Sequence, residues 1–516
     1  MRAKLTIDKK FIQLYEISDY ELKQLKISFT KKINNWFIVR RKSPFANVDE
    51  SFINKYNMIP IGLWVELVKI ATKYKLNLIF DEDFDNSIKD NLLTIDNIKS
   101  YCNNLFKNSE IQPYDYQIDA VYKMLKYKKC CVEISTSGGK TLISYIYFKY
   151  LHDVCGFKHF LYVTPNTTLT TQSGEKFKQY DKKCGIESDW TFEEIHSGQK
   201  KKSEYNATIV FGNYQSLCKK KSDFFDKYEC IIQDECHHGS CSSLRNIMSR
   251  SLYYKYCVGL TGTFPKEGTY DNFIIQSYIG PLIHQLTSYD LINKENKATP
   301  IYIVGMELNY LDNETKSNLF ELRKNKDKDD IELSNKLLNM EKKLVRDNRK
   351  RLLYICDVIN KTTKNSLVIF SDVQNNYGRN VYEYLKSETD KSVFYIDGST
   401  PTKNRDYYIT EMENDSNGNT IIVASIGTFS EGVDIANLWN IFVIETTKSD
   451  RLISQIIGRG MRNFPGKDKV MLFDFADNFD YGSGYQRTCY LMRHFKERCS
   501  IYRKRKFPIK VFKISL

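Results

Sequence analysis

Val132-Glu133-Ile134-Ser135-Thr136-Ser137-Gly138-Gly139-Lys140-Thr141 passes from an apolar run of buried-strand type, through two glycines, into a helical pattern over Leu142 to Tyr150. A strand that opens in this way onto a helix N-terminus is a phosphate-binding loop in the setting such a loop needs. Ser137, Gly138 and Gly139 let backbone N–H groups turn toward phosphate oxygens, Lys140 supplies a point charge, and the Thr141 hydroxyl can hold Mg²⁺. Ile134 stands where the G-x-x-x-x-G-K-[ST] form has its first glycine, so an ordinary Gly-Gly turn is the alternative reading.

Outward from this loop, short apolar runs alternate with helical stretches of about 10–15 residues, the pattern of a parallel, doubly wound sheet. Buried strands are expected at Val132 to Ser135, Phe160 to Thr164, Ala207 to Phe211, Cys230 to Gln233 and Tyr256 to Leu260. A second series follows at Ile301 to Met306, Ser366 to Phe370, Val393 to Ile396, Ile421 to Ala424, Ile441 to Ile444 and Val470 to Phe473. The fold class is therefore α/β, with two parallel sheets in tandem and the polar stretch Tyr289 to Pro300 as a hinge. Ahead of the Asn-rich segment Asp90 to Glu110, a β-like Trp36-Phe37-Ile38-Val39 and a helical pattern around Leu63 to Ile70 predict a small N-terminal α+β domain. Three domains result: residues 1–108, 109–292 and 293–516. The helical stretch Asn313 to Lys361 carries a basic face around Arg346, Arg349, Lys350 and Arg351, read as a solvated surface in preference to a phosphate contact.

With 41% hydrophobic and 27% charged residues and only 10 prolines in 516, the chain is neither collagen-like nor disordered. Lys+Arg exceed Asp+Glu by 77 to 63, a formal charge of +14, which admits an anionic partner without requiring one. The 13 cysteines are scattered without a C-x-x-C pair and suit a reducing compartment. The N-terminus lacks a signal-peptide core, and no apolar run approaches the ~20 residues of a membrane helix, so a cytoplasmic location is expected, with no membrane partner. Cys236-His237-His238-Gly239-Ser240-Cys241 packs four potential zinc ligands into six residues, but its spacing fits no common zinc module.

Ile231-Ile232-Gln233 leads into Asp234-Glu235, which sets two adjacent carboxylates at a strand's C-terminal end, where ligands of α/β sheets bind. Asp234 is expected to hold Mg²⁺, and Glu235 to orient or deprotonate an attacking water. Gln455-Ile456-Ile457-Gly458-Arg459-Gly460-Met461-Arg462 places two arginines three apart, on one face if helical, suited to stabilising transition-state charge on a γ-phosphate across a domain cleft. Upstream, the Gln117 amide matches the hydrogen-bonding edge of adenine and Tyr114 can stack on its face. ATP and Mg²⁺ are the expected cofactors.

In this order the residues resemble the motifs of the superfamily 2 helicases over roughly residues 112 to 480. Tyr116-Gln117 is similar to the Q motif, Ser137 to Thr141 to motif I, Thr164-Pro165-Asn166-Thr167 with Gln172 to motif Ia, and Asn213-Tyr214-Gln215-Ser216 to motif Ib. Asp234 to His237 resembles a DExH box, Thr261-Gly262-Thr263 motif III, and Val368-Ile369-Phe370 motif IV. Ala424-Ser425 with Gly432-Val433-Asp434 resembles motif V, and Gln455 to Arg462 motif VI. The resemblance implies two RecA-like domains. It also implies that Thr164, Pro165, Asn166, Asn213 and Ser425 face a nucleic-acid backbone, and that Gly432 and Asp434 lie by the nucleotide. His237, Thr261, Thr263 and Gln455 would couple hydrolysis to movement.

The Cys in the DExH box, Thr-Gly-Thr in motif III and Gln455 in motif VI look more like DNA-translocating branches than RNA-remodelling ones. The stretch Val163 to Gln172 and the layout Ile59-Pro60-Ile61-Gly62-Leu63, then Leu76 to Phe80, resemble the UvsW-like phage recombination helicases. That likeness implies an ATP-dependent helicase acting on branched or forked DNA in branch migration, fork regression and the removal of RNA from R-loops, in host cytoplasm. The rival readings are an RNA helicase, a motor subunit of a restriction complex, and a non-catalytic nucleic-acid binder.

Overall fold

Strands in the interior of a parallel sheet are covered on both faces and are written as unbroken apolar runs, and the eleven expected runs all fold as strands. The computed structural model describes residues 1–516 apart from 35, 37–38, 41–42, 44, 187–189, 199–204, 251–253, 296, 325–330, 372, 431–434, 446–449 and 482–487. The chain divides into two compact units, Met1–Leu286 and Thr287–Leu516.

In the first unit, β1 (Arg2–Leu5), β2 (Phe11–Tyr15), β5 (Met58–Pro60) and β6 (Ile79–Phe80) form a small sheet in the order β5-β2-β1-β6, beside the antiparallel pair β3 (Thr30–Lys32) and β4 (Asp49–Ser51). Helices Asp19–Phe29, opened by a Ser18–Glu21 capping box, and Trp64–Lys73 complete the expected α+β region. The reading of Trp36 to Val39 as a strand is corrected: Trp36 and Val39 are helical, while Phe37 and Ile38 lie outside the described residues. A four-residue apolar run has no period with which to tell strand from helix.

The principal sheet of this unit contains β7 (Lys129–Ile134), β8 (Phe160–Thr164), β9 (Phe192–Ile195), β10 (Ile209–Asn213), β11 (Cys230–Gln233), β12 (Tyr256–Thr261) and β13 (Leu282–Leu286). All are parallel, in the order β13-β7-β12-β11-β8-β10-β9. One apolar core joins the N-terminal region to this sheet: Ala3, Ile12, Leu25, Phe29 and Leu67 lie in a single cluster with Cys131, Cys236, Met248 and Phe273. Phe273 packs edge-on against Phe29, with ring centroids 5.7 Å apart.

The second unit contains β14 (Ile301–Asn309), β15 (Ser366–Phe370), β16 (Ser392–Ile396), β17 (Thr420–Ser425), β18 (Asn440–Val443), β19 (Val470–Asp477) and β20 (Ile509–Ser515), again all parallel, in the order β16-β17-β15-β18-β19-β14-β20. Within the stretch Asn313 to Lys361 the described residues form helices Asn313–Lys324, Ile331–Asp347 and Arg349–Lys361, and the basic face is solvated at Arg349 and Lys350 but not at Arg346 and Arg351. Arg351 is fully buried, pairing with Asp477 and donating to Ile444 O at 2.8 Å, and Arg346 Nε lies 3.1 Å from Glu445 Oε1. The carboxylates that claim these arginines are distant in sequence, which is why spacing along the helix does not reveal them.

Candidate active site

Parallel strands deliver their C-terminal ends to one edge of a sheet, and in the first unit β7, β8, β10, β11 and β12 each end on a residue or loop expected to act. After β7 the chain turns through Ser137 at φ +75° and Gly139 at φ +80°, with Gly138 N–H donating to Ser135 O at 2.9 Å, before entering helix Lys140–Asp153. Successive positive-φ residues ahead of a helix N-terminus aim backbone N–H groups into one concavity, a nest for anionic oxygens. Thr141 is the second residue of that helix.

Gln117 sits beneath this loop and is only 4% exposed. Its Oε1 accepts the Tyr114 N–H at 2.9 Å and its Nε2 donates to Gly138 O at 3.2 Å, so the amide ties the helix Asp115–Tyr127 to the loop. Tyr114, the residue before that helix, is 39% exposed. A methyl group on Gly139 would lie 2.3 Å from Gln117 Nε2 at a backbone angle that L-residues avoid. Gly139→Ala is therefore expected to cost the loop about 1–3 kcal/mol. Expressed at the nucleotide, that weakens ATP binding about 5- to 150-fold, measurable by titration with a fluorescent ATP analogue; unchanged affinity would contradict the strain argument.

β11 presents Asp234 and Glu235 beside the loop. Glu235 adopts φ +49°, and its N–H donates to Asp234 Oδ1 at 2.9 Å. Its Oε1 lies 3.2 Å from Lys140 Nζ and its Oε2 lies 3.2 Å from His237 Nδ1. His237 Nδ1 is in turn 2.9 Å from Thr261 Oγ1, which accepts the Thr263 N–H at 3.1 Å. A Cβ on Gly262 would stand 3.4 Å from Lys140 Nζ, so the turn after β12 also abuts the phosphate loop. Lys140, Glu235, His237, Thr261 and Thr263 are thus brought into one continuous polar network.

The electrostatics follow from burying two carboxylates with one ammonium. Burial and then the charge of Glu235 push the Asp234 carboxyl above its ordinary range, with Lys140 opposing. Burial would raise Glu235 too, but the Lys140 charge and the His237 contact outweigh it and hold that carboxyl well below its ordinary range. Lys140 loses from burial and gains more from Glu235 and Asp234, so it stays charged. The net negative charge left at Asp234 suits a divalent cation, so the donor set fits Mg²⁺. Of the alternative zinc reading nothing survives: Cys236 is buried against Gly259, and among the described residues no group of three or more His, Cys, Asp or Glu could hold a metal.

The residues expected to face a nucleic-acid backbone sit on neighbouring strand ends. Thr164, ending β8, is buried, with its hydroxyl 2.6 Å from Thr170 Oγ1 and Pro165 buried after it. Asn166 caps helix Thr167–Cys184 by accepting the Leu169 N–H at 2.9 Å. Asn213, ending β10, caps helix Tyr214–Leu217 and donates to Thr167 Oγ1 at 3.2 Å, joining the two segments. These side chains shape the strand ends, leaving Thr168 and Gln215 as the exposed groups beside them. In the second unit, Ser425 ends β17 and its Oγ donates to Thr428 Oγ1 at 2.9 Å. Gln455 and Arg459 lie on helix Asp450–Gly460, with Arg459 buried. Arg462 lies two residues past the helix end, so the two arginines do not share one helical face; burial lowers the Arg462 guanidinium to about 10. Gly432 and Asp434 lie outside the described residues.

The model of the type III restriction enzyme res subunit matches residues 110–266, and that of the helicase conserved C-terminal domain matches residues 350–464. The chain is 26% identical over 465 residues to the ATP-dependent DNA helicase uvsW of Enterobacteria phage T4, covering 88% of this chain and 87% of that protein. In fold it is similar to the ATP-dependent Type ISP restriction-modification enzyme LlaBIII bound to DNA (TM-score 0.56, 14% identity, 87% of this chain and 34% of that one). It is also similar in fold to Saccharomyces cerevisiae Dbp5 bound to RNA and ADP BeF3 (TM-score 0.53, 13% identity, 82% and 96%). Among the described residues no helix is long and apolar enough to cross a membrane.

Proposed function

We infer that this chain, a superfamily 2 helicase of the DExH type, is an ATP-dependent DNA helicase that works on branched or forked DNA during phage recombination and replication. The observation that carries the enzymatic part is Glu235, held between the Lys140 ammonium and His237 at the C-terminal edge of a parallel sheet. The DNA part is supported by the T4 relative, a DNA helicase by name and alignable over most of both chains.

In this reading the nest at Ser135 to Lys140 receives the phosphates of ATP, and Lys140 exchanges part of its pairing with Glu235 for the β and γ oxygens. Asp234 and Thr141 would hold Mg²⁺, which when bound offsets charge on the phosphate oxygens. Glu235, kept ionised by Lys140, orients the attacking water and accepts its proton. Arg459 and Arg462 stabilise charge that grows at the γ-phosphate. Tyr114 packs on the base, and the Gln117 amide meets the hydrogen-bonding edge of adenine while holding the loop through Gly138. Gly432 and Asp434 add nucleotide contacts. His237, Thr261, Thr263 and Gln455 pass the state of the nucleotide to the strand ends at Thr164, Pro165, Asn166, Asn213 and Ser425, where phosphate contacts grip one strand with little regard to base. Residues 1–108 act as an accessory region built onto the ATP-binding motor region 109–292, with which they share a core, and 293–516 serve as the second motor domain. The thirteen cysteines, all free, support a reducing, cytoplasmic setting.

The test is unwinding of matched forked DNA, RNA duplex and R-loop substrates under one ATP concentration and one salt concentration. Forked DNA is expected to open fastest, with the R-loop second. RNA duplex opened at the same rate or faster would favour the RNA-helicase alternative, for which the Dbp5 likeness is a likeness of fold alone.

A further inference from the structure

The end of a helix leaves its last carbonyls without intrahelical partners and carries the negative end of its dipole. Helix Asp450–Gly460 ends in this way two residues before Arg462, which it holds only by a long bond from the Arg462 N–H to Arg459 O at 3.4 Å. Lys467 returns to that end from the turn Pro465-Gly466, in which Gly466 has φ +76°. Its Nζ donates to Gly460 O at 2.7 Å, to Arg462 O at 2.8 Å and to Ala436 O at 2.9 Å. An ammonium has three hydrogens, and three carbonyls converge on it.

The neighbourhood makes this more than a helix cap. From β14's approach, Thr299 N–H donates to Met461 O at 2.8 Å, and its hydroxyl lies 3.2 Å from Arg462 O and 3.1 Å from Asn463 Oδ1. Ala436 is held in turn by Glu413, from helix Thr402–Asn414, whose carboxylate accepts the Ala436 N–H and, at 3.3 Å, the Asn437 N–H. Burial lowers the Lys467 ammonium to about 7, while the Glu413 charge and the three converging carbonyls favour its protonated form. One cation thereby ties the segment leading into β18 to the turn that carries Arg462.

We propose that Lys467 is the positioning residue for Arg462: it sets the backbone of the Gly460–Arg462 turn, and through it the place of the guanidinium, without touching nucleotide itself. The proposal rests on the reading of Arg462 as a stabiliser of transition-state charge. A lysine suits the task because its compact ammonium spreads three hydrogens from one atom, whereas the planar guanidinium fork spreads its donors over three. With the ammonium gone, the three carbonyls lose their shared donor and the turn relaxes.

The test is a double-mutant cycle on nucleic-acid-stimulated ATP hydrolysis by the full chain, with Lys467→Met, Arg462→Ala and the pair. Because a displacement of about 1 Å can cost on the order of a hundredfold in rate, Lys467→Met is expected to lower kcat roughly ten- to a hundredfold, with KM for ATP within about twofold of wild type. In the Arg462→Ala background Lys467→Met is expected to cost nothing further, since the guanidinium it positions is already absent. A wild-type kcat for Lys467→Met with a low one for Arg462→Ala overturns the proposal, as do losses that multiply in the double variant. A wild-type kcat for Arg462→Ala overturns instead the reading on which the proposal rests. Should Lys467→Met not accumulate as folded protein, Lys467→Gln, which retains two N–H donors, carries the same cycle at smaller amplitude.

Discussion

Glu235→Gln lowers kcat for ATP hydrolysis by about 10²–10⁴-fold, the range expected on removing a general base, and leaves nucleotide binding largely intact. The two halves of this expectation have separate origins. Glutamine keeps an oxygen toward Lys140 and a hydrogen-bonding group toward His237, so the network at 3.2 Å on either side retains its shape. What it loses is the negative charge that can take a proton from water. The same charge pushes Asp234 toward its protonated form, so its removal lets Asp234 ionise more readily and favours cation binding. Turnover measured beside nucleotide titration checks both halves. Wild-type turnover in this variant would remove Glu235 from the chemistry, whereas no nucleic-acid-stimulated turnover in the wild type itself would favour a non-catalytic nucleic-acid binder.

The second large effect is on stability. Arg351→Met is expected to cost the second unit about 3–5 kcal/mol, the usual result of breaking a buried ion pair by removing one partner. Arg351 is fully buried, with Nη2 3.0 Å from Asp477 Oδ2 and 2.8 Å from Ile444 O, and with Tyr377 and Asp477 taking its remaining donors. Methionine fills much of the volume but leaves the Asp477 carboxylate, 5% exposed, without its counterion. Arg351→Met with Asp477→Leu is expected to recover part of the loss, because a buried pair exchanged whole for apolar groups can be near neutral. Urea denaturation of the full chain, following the transition of the second unit, reads both variants. A single-variant loss below about 1 kcal/mol would mean that Arg351 behaves as a solvated surface residue.

That arginine also marks where the sequence stops being legible. Read along its helix, Arg351 is one more basic residue beside Arg349 and Lys350; its partner stands 126 positions away. The phosphate loop, Asp234-Glu235 and the strand ends at Thr164 and Asn213 are legible because they are local: a few consecutive residues specify both the turn and the chemistry. Strands behave alike. The eleven read from the sequence include every interior strand of both sheets, whereas the three unread strands, β9, β13 and β20, are all sheet edges. An edge strand has one neighbour and need not be apolar throughout, and Phe192-Glu193-Glu194-Ile195 and Ile509-Lys510-Val511-Phe512-Lys513 carry the charges that discourage a further strand from pairing. Arg462 stands beyond the helix that its spacing from Arg459 would allow, and Lys467, which meets it there, comes from a Pro-Gly turn.

The core that Ala3, Ile12, Phe29 and Leu67 share with Cys131, Cys236 and Phe273 has a bearing on how the chain is made. During synthesis the N-terminal region leaves the ribosome well before Phe273, so until the strand and helix that follow the DExH box emerge, its apolar face has no lasting cover. The first unit therefore completes its folding late and as one cooperative event. Shortening the N-terminus would not detach a module; it would uncover the back of the strand that carries the phosphate loop.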